Sequence, residues 1–189
     1  GRTMFYIGNK TKVVELSHDL EKLKSISVST NLPENNSGKG YFGNVLFQND
    51  REALVQSQSN IYKIDFTANT ITEHAVTTGY TMSGILCNNI IITHANDELV
   101  FIDAATFKEI KKIPFKNTGN VRCFTKDSTG NIFVGSNNGI IKIDSTGHIL
   151  QQLNKETGLP DECIYAIAFD EDNFLWCSTN KGILKINKD

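Results

Sequence analysis

Apolar residues along this chain alternate with polar ones in short runs and do not recur at helical spacing. Val121 to Thr125, Ile132 to Ser136, Ile140 to Asp144 and His148 to Leu153 are each rich in β-branched or aromatic residues. Between them stand Asp127-Ser128-Thr129-Gly130, Asn137-Asn138-Gly139 and Ser145-Thr146-Gly147, whose residues suit tight hairpin turns. The pattern predicts four antiparallel strands in a row. Gly and Asn interrupt every window long enough for a helix. The one helix-compatible stretch, His18 to Lys24, reads equally well as a polar outer strand.

The unit recurs. Asp127 to Ser136 aligns without a gap on Asp170 to Thr179, 43 positions later, and the match continues from Gly139–Asp144 into Gly182–Asn187. Leu99-Val100-Phe101-Ile102-Asp103 and Ile61-Tyr62-Lys63-Ile64-Asp65 fill the same slot, giving steps of 38 (Asp65 to Asp103), 41 (Asp103 to Asp144) and 43 (Asp144 to Asn187). A weaker copy, Val13-Val14-Glu15-Leu16-Ser17, precedes them at a longer step, which the polar stretch Asn35 to Gly40 explains as an inserted loop. Four antiparallel strands every ~40 to 45 residues is the period of a β-propeller blade.

The expected architecture is all-β, with one propeller segment over residues 1–189 and approximate blades at 1–29, 30–76, 77–114, 115–156 and 157–189. The first copy shows strands at Met4 to Gly8, Lys12 to Ser17 and Leu20 to Val28, and the last stops after its third strand at Asn187. Five blades, the first and last incomplete, fit an arc of a larger, seven-bladed propeller better than a closed five-bladed ring. A ring would need its end blade completed from both termini, and here the two ends would duplicate strands.

Charge narrows the partners. Nineteen Lys and Arg against twenty-one Asp and Glu, with no basic run longer than Lys111-Lys112, leave no electrostatic footprint for nucleic acid or for direct contact with an anionic membrane. No apolar run approaches the roughly 18 residues that would cross a bilayer. Cys87, Cys123, Cys163 and Cys177 lack zinc-site spacing, so no metal is expected. Cys123 and Cys177 lie in strand-like runs and read as small buried hydrophobes, with a Cys123–Cys163 or other bridge as the alternative.

The closing stretch is more specific. Gly158, Leu159, Pro160, Ile164, Ile167, Asp170, Leu175, Trp176, Thr179, Gly182 and Ile183 resemble the propeller repeat of two-component regulators, found in the periplasmic sensor region of hybrid histidine kinases. Asn173 stands where that repeat prefers Gly, and Cys177-Ser178 replace its usual Ile-Gly. Thr30-Asn31-Leu32-Pro33-Glu34 echoes Thr157 to Asp161. Other propeller repeats fit less well: no Trp-Asp dipeptide and no double glycine occurs, and Ile102 to Thr106 gives one partial quinoprotein-type turn with Phe107 where Gly belongs. For the motif residues a structural role is expected, with Trp176 and Phe133 packing between blades, Gly139 and Gly182 making turns, and Pro160 stiffening a loop.

Catalytic residues are not expected. No nucleophile elbow, P-loop or zinc-protease motif occurs, the four histidines lie in separate repeats, and Asp170 to Asn173 lacks the sixth-position Gly of a calcium loop. No cofactor is expected either. A propeller instead offers loops that lead into each innermost strand, here Glu34 to Tyr41, Thr77 to Tyr80, Asn117 to Asn120 and Thr157 to Glu162. Tyr41, Tyr80, Asn117, Thr118, Asp161 and Glu162 are therefore candidate ligand contacts, suited to stacking and hydrogen bonding with an oligosaccharide. The resemblance implies an extracytoplasmic sensor that binds a glycan and drives a histidine kinase controlling polysaccharide-utilisation genes. The rival expectations are a quinoprotein-like enzyme and a non-catalytic protein-interaction propeller. Open blade edges predict self-association of the chain, or contact with remaining blades.

Overall fold

The computed structural model describes residues 4–7, 12–16, 22–27, 44–49, 51–56, 60–68, 70–75, 83–116 and 118–187. They form eighteen strands in two compact units, Gly1–Gly79 and Tyr80–Asp189.

In the first unit, β1 (Met4–Ile7), β2 (Lys12–Leu16) and β3 (Lys22–Ser27) make a three-stranded antiparallel meander. The helix-compatible window thus ends in a strand, β3. A second meander joins β4 (Asn44–Gln48), β5 (Glu52–Gln56), β6 (Asn60–Asp65) and β7 (Thr70–Ala75). Its centre is apolar, with Ala53, Val55, Ile61 and Ile64 almost fully buried.

The second unit holds three meanders. The first contains β8 (Gly84–Cys87), β9 (Ile90–Ala95), β10 (Glu98–Asp103) and β11 (Glu109–Pro114). Next come β12 (Val121–Lys126), β13 (Ile132–Ser136), β14 (Gly139–Ile143) and β15 (Ile149–Leu153). The last has three strands, β16 (Ile164–Phe169), β17 (Phe174–Thr179) and β18 (Gly182–Asn187). The strand count per sheet, three, four, four, four and three, is the one the repeat pattern predicts.

The turns explain why the chain reverses where it does. Asn88-Asn89 and Asn96-Asp97 take positive φ at both central positions, the geometry that matches strand twist in two-residue hairpins. Longer turns begin with a carboxylate. Asp127 Oδ1 accepts the backbone N–H groups of Thr129 and Asn131, each at 2.9 Å. Asp170 does the same for Asp172 and Phe174, and Asp65, Asp103 and Asp144 repeat the device between third and fourth strands. Asn173 sits at φ 63°, where the related repeat prefers Gly, and Phe107 at φ 57° holds the same left-handed geometry without the glycine.

Within the second unit the sheets stack face on face. Phe101, Leu99 and Ile92 of the β8–β11 sheet pack with Val121, Ile132, Val134, Ile141 and Ile143 of the next. The opposite face of that sheet, through Phe133 and Ile140, meets Ile164, Ile167, Leu175 and Cys177 of the last. Phe133 crosses Phe169 edge to face at 5.0 Å between centroids.

Phe133 thus packs between sheets as expected, and Trp176 does not. Its ring is 39% exposed on the far face of the last sheet, where its Nε1–H donates to Asp170 Oδ2 at 2.7 Å and Lys185 Nζ lies 5.0 Å from the ring centroid. The physical reason is position: Trp176 occupies the slot of Phe133, but on the last described sheet that face is exposed. Of the cysteines, Cys87 and Cys177 are buried, Cys123 and Cys163 half-buried, and all four are free thiols.

Candidate functional site

The starts of the innermost strands are where side chains from successive blades of the second unit come together. Both β12 and β16 carry a β-bulge one residue in. Val121 pairs with Ser136 and Cys123 with Gly135, leaving Arg122 as the extra residue. Ile164 pairs with Thr179 and Ala166 with Ser178, leaving Tyr165 extra in the same repeat position. A bulge frees a side chain from the strict up-and-down alternation of a strand and re-aims it.

Each bulged side chain is then caught by an asparagine of its own blade. Arg122 Nε donates to Asn137 Oδ1 at 2.7 Å, and Tyr165 Oη donates to Asn180 Oδ1 at 2.7 Å. Asn137 and Asn180 are again equivalent, each opening the turn between the second and third strands. The two pairs join into one ledge because the Arg122 guanidinium lies over the Tyr165 ring, 4.9 Å from its centroid.

The approach loops hold this ledge in place. Asn137 N–H donates to the Asn120 carbonyl at 3.1 Å, and Gly139 N–H to the Glu162 carbonyl at 2.8 Å, so each turn is tied to a loop beside it. The Cys163 thiol sits 3.7 Å from Asn137 Oδ1. Hydrogen bonding and electrostatic interaction with Cys163, with burial and Asp161 adding to them, raise the Tyr165 pKa above the ordinary phenol value, while Arg122 pulls the other way. Tyr165 therefore stays a neutral donor across the physiological range.

Of the six residues expected from sequence, Tyr41, Tyr80 and Asn117 lie outside the described residues. Thr118 is buried and its hydroxyl donates to the Gly119 carbonyl at 3.2 Å. Asp161 is 9% exposed and accepts the Cys163 N–H at 2.8 Å. Glu162 accepts the Lys155 N–H at 2.9 Å. These three shape the approach loops, and the ledge itself is made by Arg122, Asn137, Tyr165 and Asn180. The signal that finds these four in the sequence is the 43-residue register, which pairs Arg122 with Tyr165 and Asn137 with Asn180.

Other chemistry is thin among the described residues. No three His, Cys, Asp or Glu side chains converge to hold a metal ion. The turn aspartates are committed to backbone N–H groups, including Asp170 in the calcium-like stretch. His74 and His94 sit on β7 and β9, and burial lowers the pKa of both. Among the described residues no helix is long and apolar enough to cross a membrane.

Comparison with known proteins bears on the fold and on the last blade. Residues 158–181, the loop into β16 through the β17–β18 turn, match the family described as two component regulator propeller. That stretch of the last blade is similar to a two-component regulator propeller repeat. Among solved structures, the WD40 β-propeller domain of Doa1 superimposes with a TM-score of 0.73 at 9% identity, over 99% of this chain and 61% of that one. The extracellular domain of BT3049 from B. thetaiotaomicron, described as a hybrid two component system, gives 0.70 at 17% identity, over 98% of this chain and 26% of its own. The extracellular domain of BT4673 from the same organism, described as a one component system, gives 0.68 at 14% identity, over 97% and 26%. The fold is a β-propeller, and this chain spans between about a quarter and three fifths of the length of these structures. No curated protein matches it by sequence.

Proposed function

We propose that this chain is a segment of the extracytoplasmic, ligand-sensing β-propeller of a hybrid two-component histidine kinase, that it is periplasmic, and that its ligand is a glycan whose arrival switches on polysaccharide-utilisation genes. The observation that carries the reading is a coincidence of place. The two-component regulator repeat at residues 158–181 contains Tyr165 and Asn180, half of the ledge. An exposed tyrosine beside two amide side chains is the surface a sugar uses, with an apolar ring for its C–H face and donors and acceptors for its hydroxyls. The likeness to extracellular domains of signalling systems supports the same reading.

The segment belongs to a larger propeller. Support comes from the last sheet, whose far face exposes Trp176 and Ile183, while the equivalent Phe133 and Ile140 one repeat earlier are covered by a sheet. In the whole sensor a further blade covers that face, and in the chain alone it drives self-association. Signalling then requires the glycan to bind one arrangement of the sensor better than another, since only differential affinity shifts an equilibrium.

Two measurements test this. Titration calorimetry of the full chain against a panel of oligosaccharides is expected to find a binder, and a panel-wide blank would remove the glycan reading. Sedimentation at micromolar concentration is expected to find oligomers, and a stable monomer would count against the uncovered-face argument.

A further inference from the structure

We propose that the Arg122–Tyr165 ledge is selective for an acidic sugar, with Arg122 gripping the carboxylate of a uronic acid residue while the Tyr165 ring supports the pyranose. The proposal rests on the glycan reading above and narrows it to a ligand class.

Arg122 has donors to spare. It is exposed, and among the described residues it pairs with no carboxylate. The acids beside it are committed elsewhere: Asp161 is buried and holds the Cys163 N–H, and Glu162 holds the Lys155 N–H with its other oxygen 3.8 Å from Lys155 Nζ. A guanidinium carries five donors, of which Nε alone is used, on Asn137. That bond fixes the plane of the fork and leaves the two terminal nitrogens for a ligand. A fork so held matches a carboxylate through two parallel hydrogen bonds.

Tyr165 supplies the second element. It is 46% exposed, and its hydroxyl is fixed by Asn180. Arg122 covers part of the ring, so the sugar meets ring and guanidinium side by side. Asn137 and Asn180 each use the amide oxygen internally, which leaves their Nδ2 donors for sugar hydroxyls. Lys181, exposed in the turn next to Asn180, adds a second positive charge. The two halves come from different blades but are joined by the cation–π contact, so the ledge is ordered before a ligand arrives, which lowers the entropy cost of binding.

The test is calorimetry of the full chain with tetragalacturonate and with its carboxyl-reduced, neutral counterpart. The acidic tetrasaccharide is expected to bind at least about tenfold tighter, with the preference shrinking as salt rises. Arg122→Met keeps the stem but removes the fork, and should erase the preference by weakening the acidic sugar at least about tenfold more than the neutral one. Tyr165→Ala should weaken both sugars. Thermal melting checks that each variant folds, and Arg122→Lys, which retains the charge without the bidentate geometry, should keep only part of the preference. Equal binding of the two sugars by the native chain, or a preference that survives Arg122→Met, overturns the acidic-sugar proposal while leaving the glycan reading in place. Binding of neither sugar, with none from the wider panel, overturns both.

Discussion

Phe133 and Trp176 stand 43 residues apart in the same slot of consecutive blades, yet Phe133 is 2% exposed and Trp176 39%. The contrast extends to Ile140 at 1% and Ile183 at 73%. Lys142 lies over the Phe133 ring at 5.3 Å, as Lys185 lies over Trp176 at 5.0 Å, so the sheet face is built alike in both blades. What differs is the neighbour. The face of the β12–β15 sheet is sealed by the last sheet, and the face of the last sheet meets solvent.

Truncating the two isoleucines should therefore have unequal costs. Ile140→Ala removes methyl groups from a packed sheet interface and is expected to cost about 2–4 kcal/mol in urea unfolding of the chain. Ile183→Ala should stay within about 0.5 kcal/mol. Comparable losses at both sites would mean that Ile183 is covered in solution.

The turn glycines one residue earlier divide the same way. Gly139 and Gly182 have φ of 105° and 106°, so alanine strains the backbone at either. A Cβ on Gly139 would in addition collide with the Leu153 carbonyl oxygen, whereas one on Gly182 meets nothing within 4 Å. Gly139→Ala is expected to lower the melting temperature clearly more than Gly182→Ala, and equal effects would place the whole cost in the backbone.

How much of this was legible beforehand follows from what a two-residue alternation encodes. Ile132 to Ser136 is legible as a strand because hairpin turns of Asp, Asn and Gly mark its ends. Alternation also says that Trp176 and Leu175 face opposite ways, but not what lies beyond either face, and so it cannot tell the covered Leu175 from the exposed Trp176. The ledge escaped for a related reason. Arg122 and Tyr165 sit at bulges, where one residue is added to the alternation, and they meet across 43 residues of chain. Thr118, Asp161 and Glu162 lie in the approach loops that the sequence marks out, but their hydrogen bonds run to backbone groups in or beside those loops.

Acid should weaken the fold through its turns. Burial alone would raise the Asp127 pKa, but hydrogen bonds from Thr129 and Asn131 outweigh it and hold the carboxyl below its ordinary value. Thr106, Thr146 and Trp176 do the same for Asp103, Asp144 and Asp170. A depressed folded-state pKa gives stability that is present above the unfolded value, near 3.9, and lost as pH falls through the folded one. Urea midpoints should thus fall below about pH 4, on top of a decline that begins near pH 6.5, where His74 and His94, whose pKa burial lowers, are protonated more readily in the unfolded chain. Asp127→Ala should cost about 1–2 kcal/mol at neutral pH and make the acid fall shallower. An unchanged acid profile in that variant would assign the transition to other carboxyls.

The thiols should be modified in a fixed order. Burial pushes the Cys123 pKa up to about 11 and that of Cys177 up to about 12, so at pH 8 almost none of either is thiolate. Cys87 is 3% exposed. Cys163, half-buried in the loop into β16, should take iodoacetamide first, as peptide mass spectrometry after brief labelling would show. Labelling of Cys177 as fast as Cys163 would reveal opening between the last two sheets, since Cys177 lies within that interface.

The single tryptophan makes the uncovered face directly observable. Trp176 is the only indole in the chain, so its fluorescence reports that surface with no background. Its ring is exposed, and its Nε1–H is bound to Asp170, whose other oxygen closes the hairpin turn. In dilute solution the emission should be red-shifted and readily quenched by acrylamide. Raising the protein concentration, or extending the chain with a further blade, should shift the emission to the blue and protect it as the sheet face is covered. Ile183→Lys, which places a charge on the same face, should block the concentration-dependent shift while leaving the dilute spectrum unchanged. A spectrum already blue at the lowest concentration, in a species that sediments as a monomer, would mean that the chain covers Trp176 itself, and the case for a further blade would lose its main physical support.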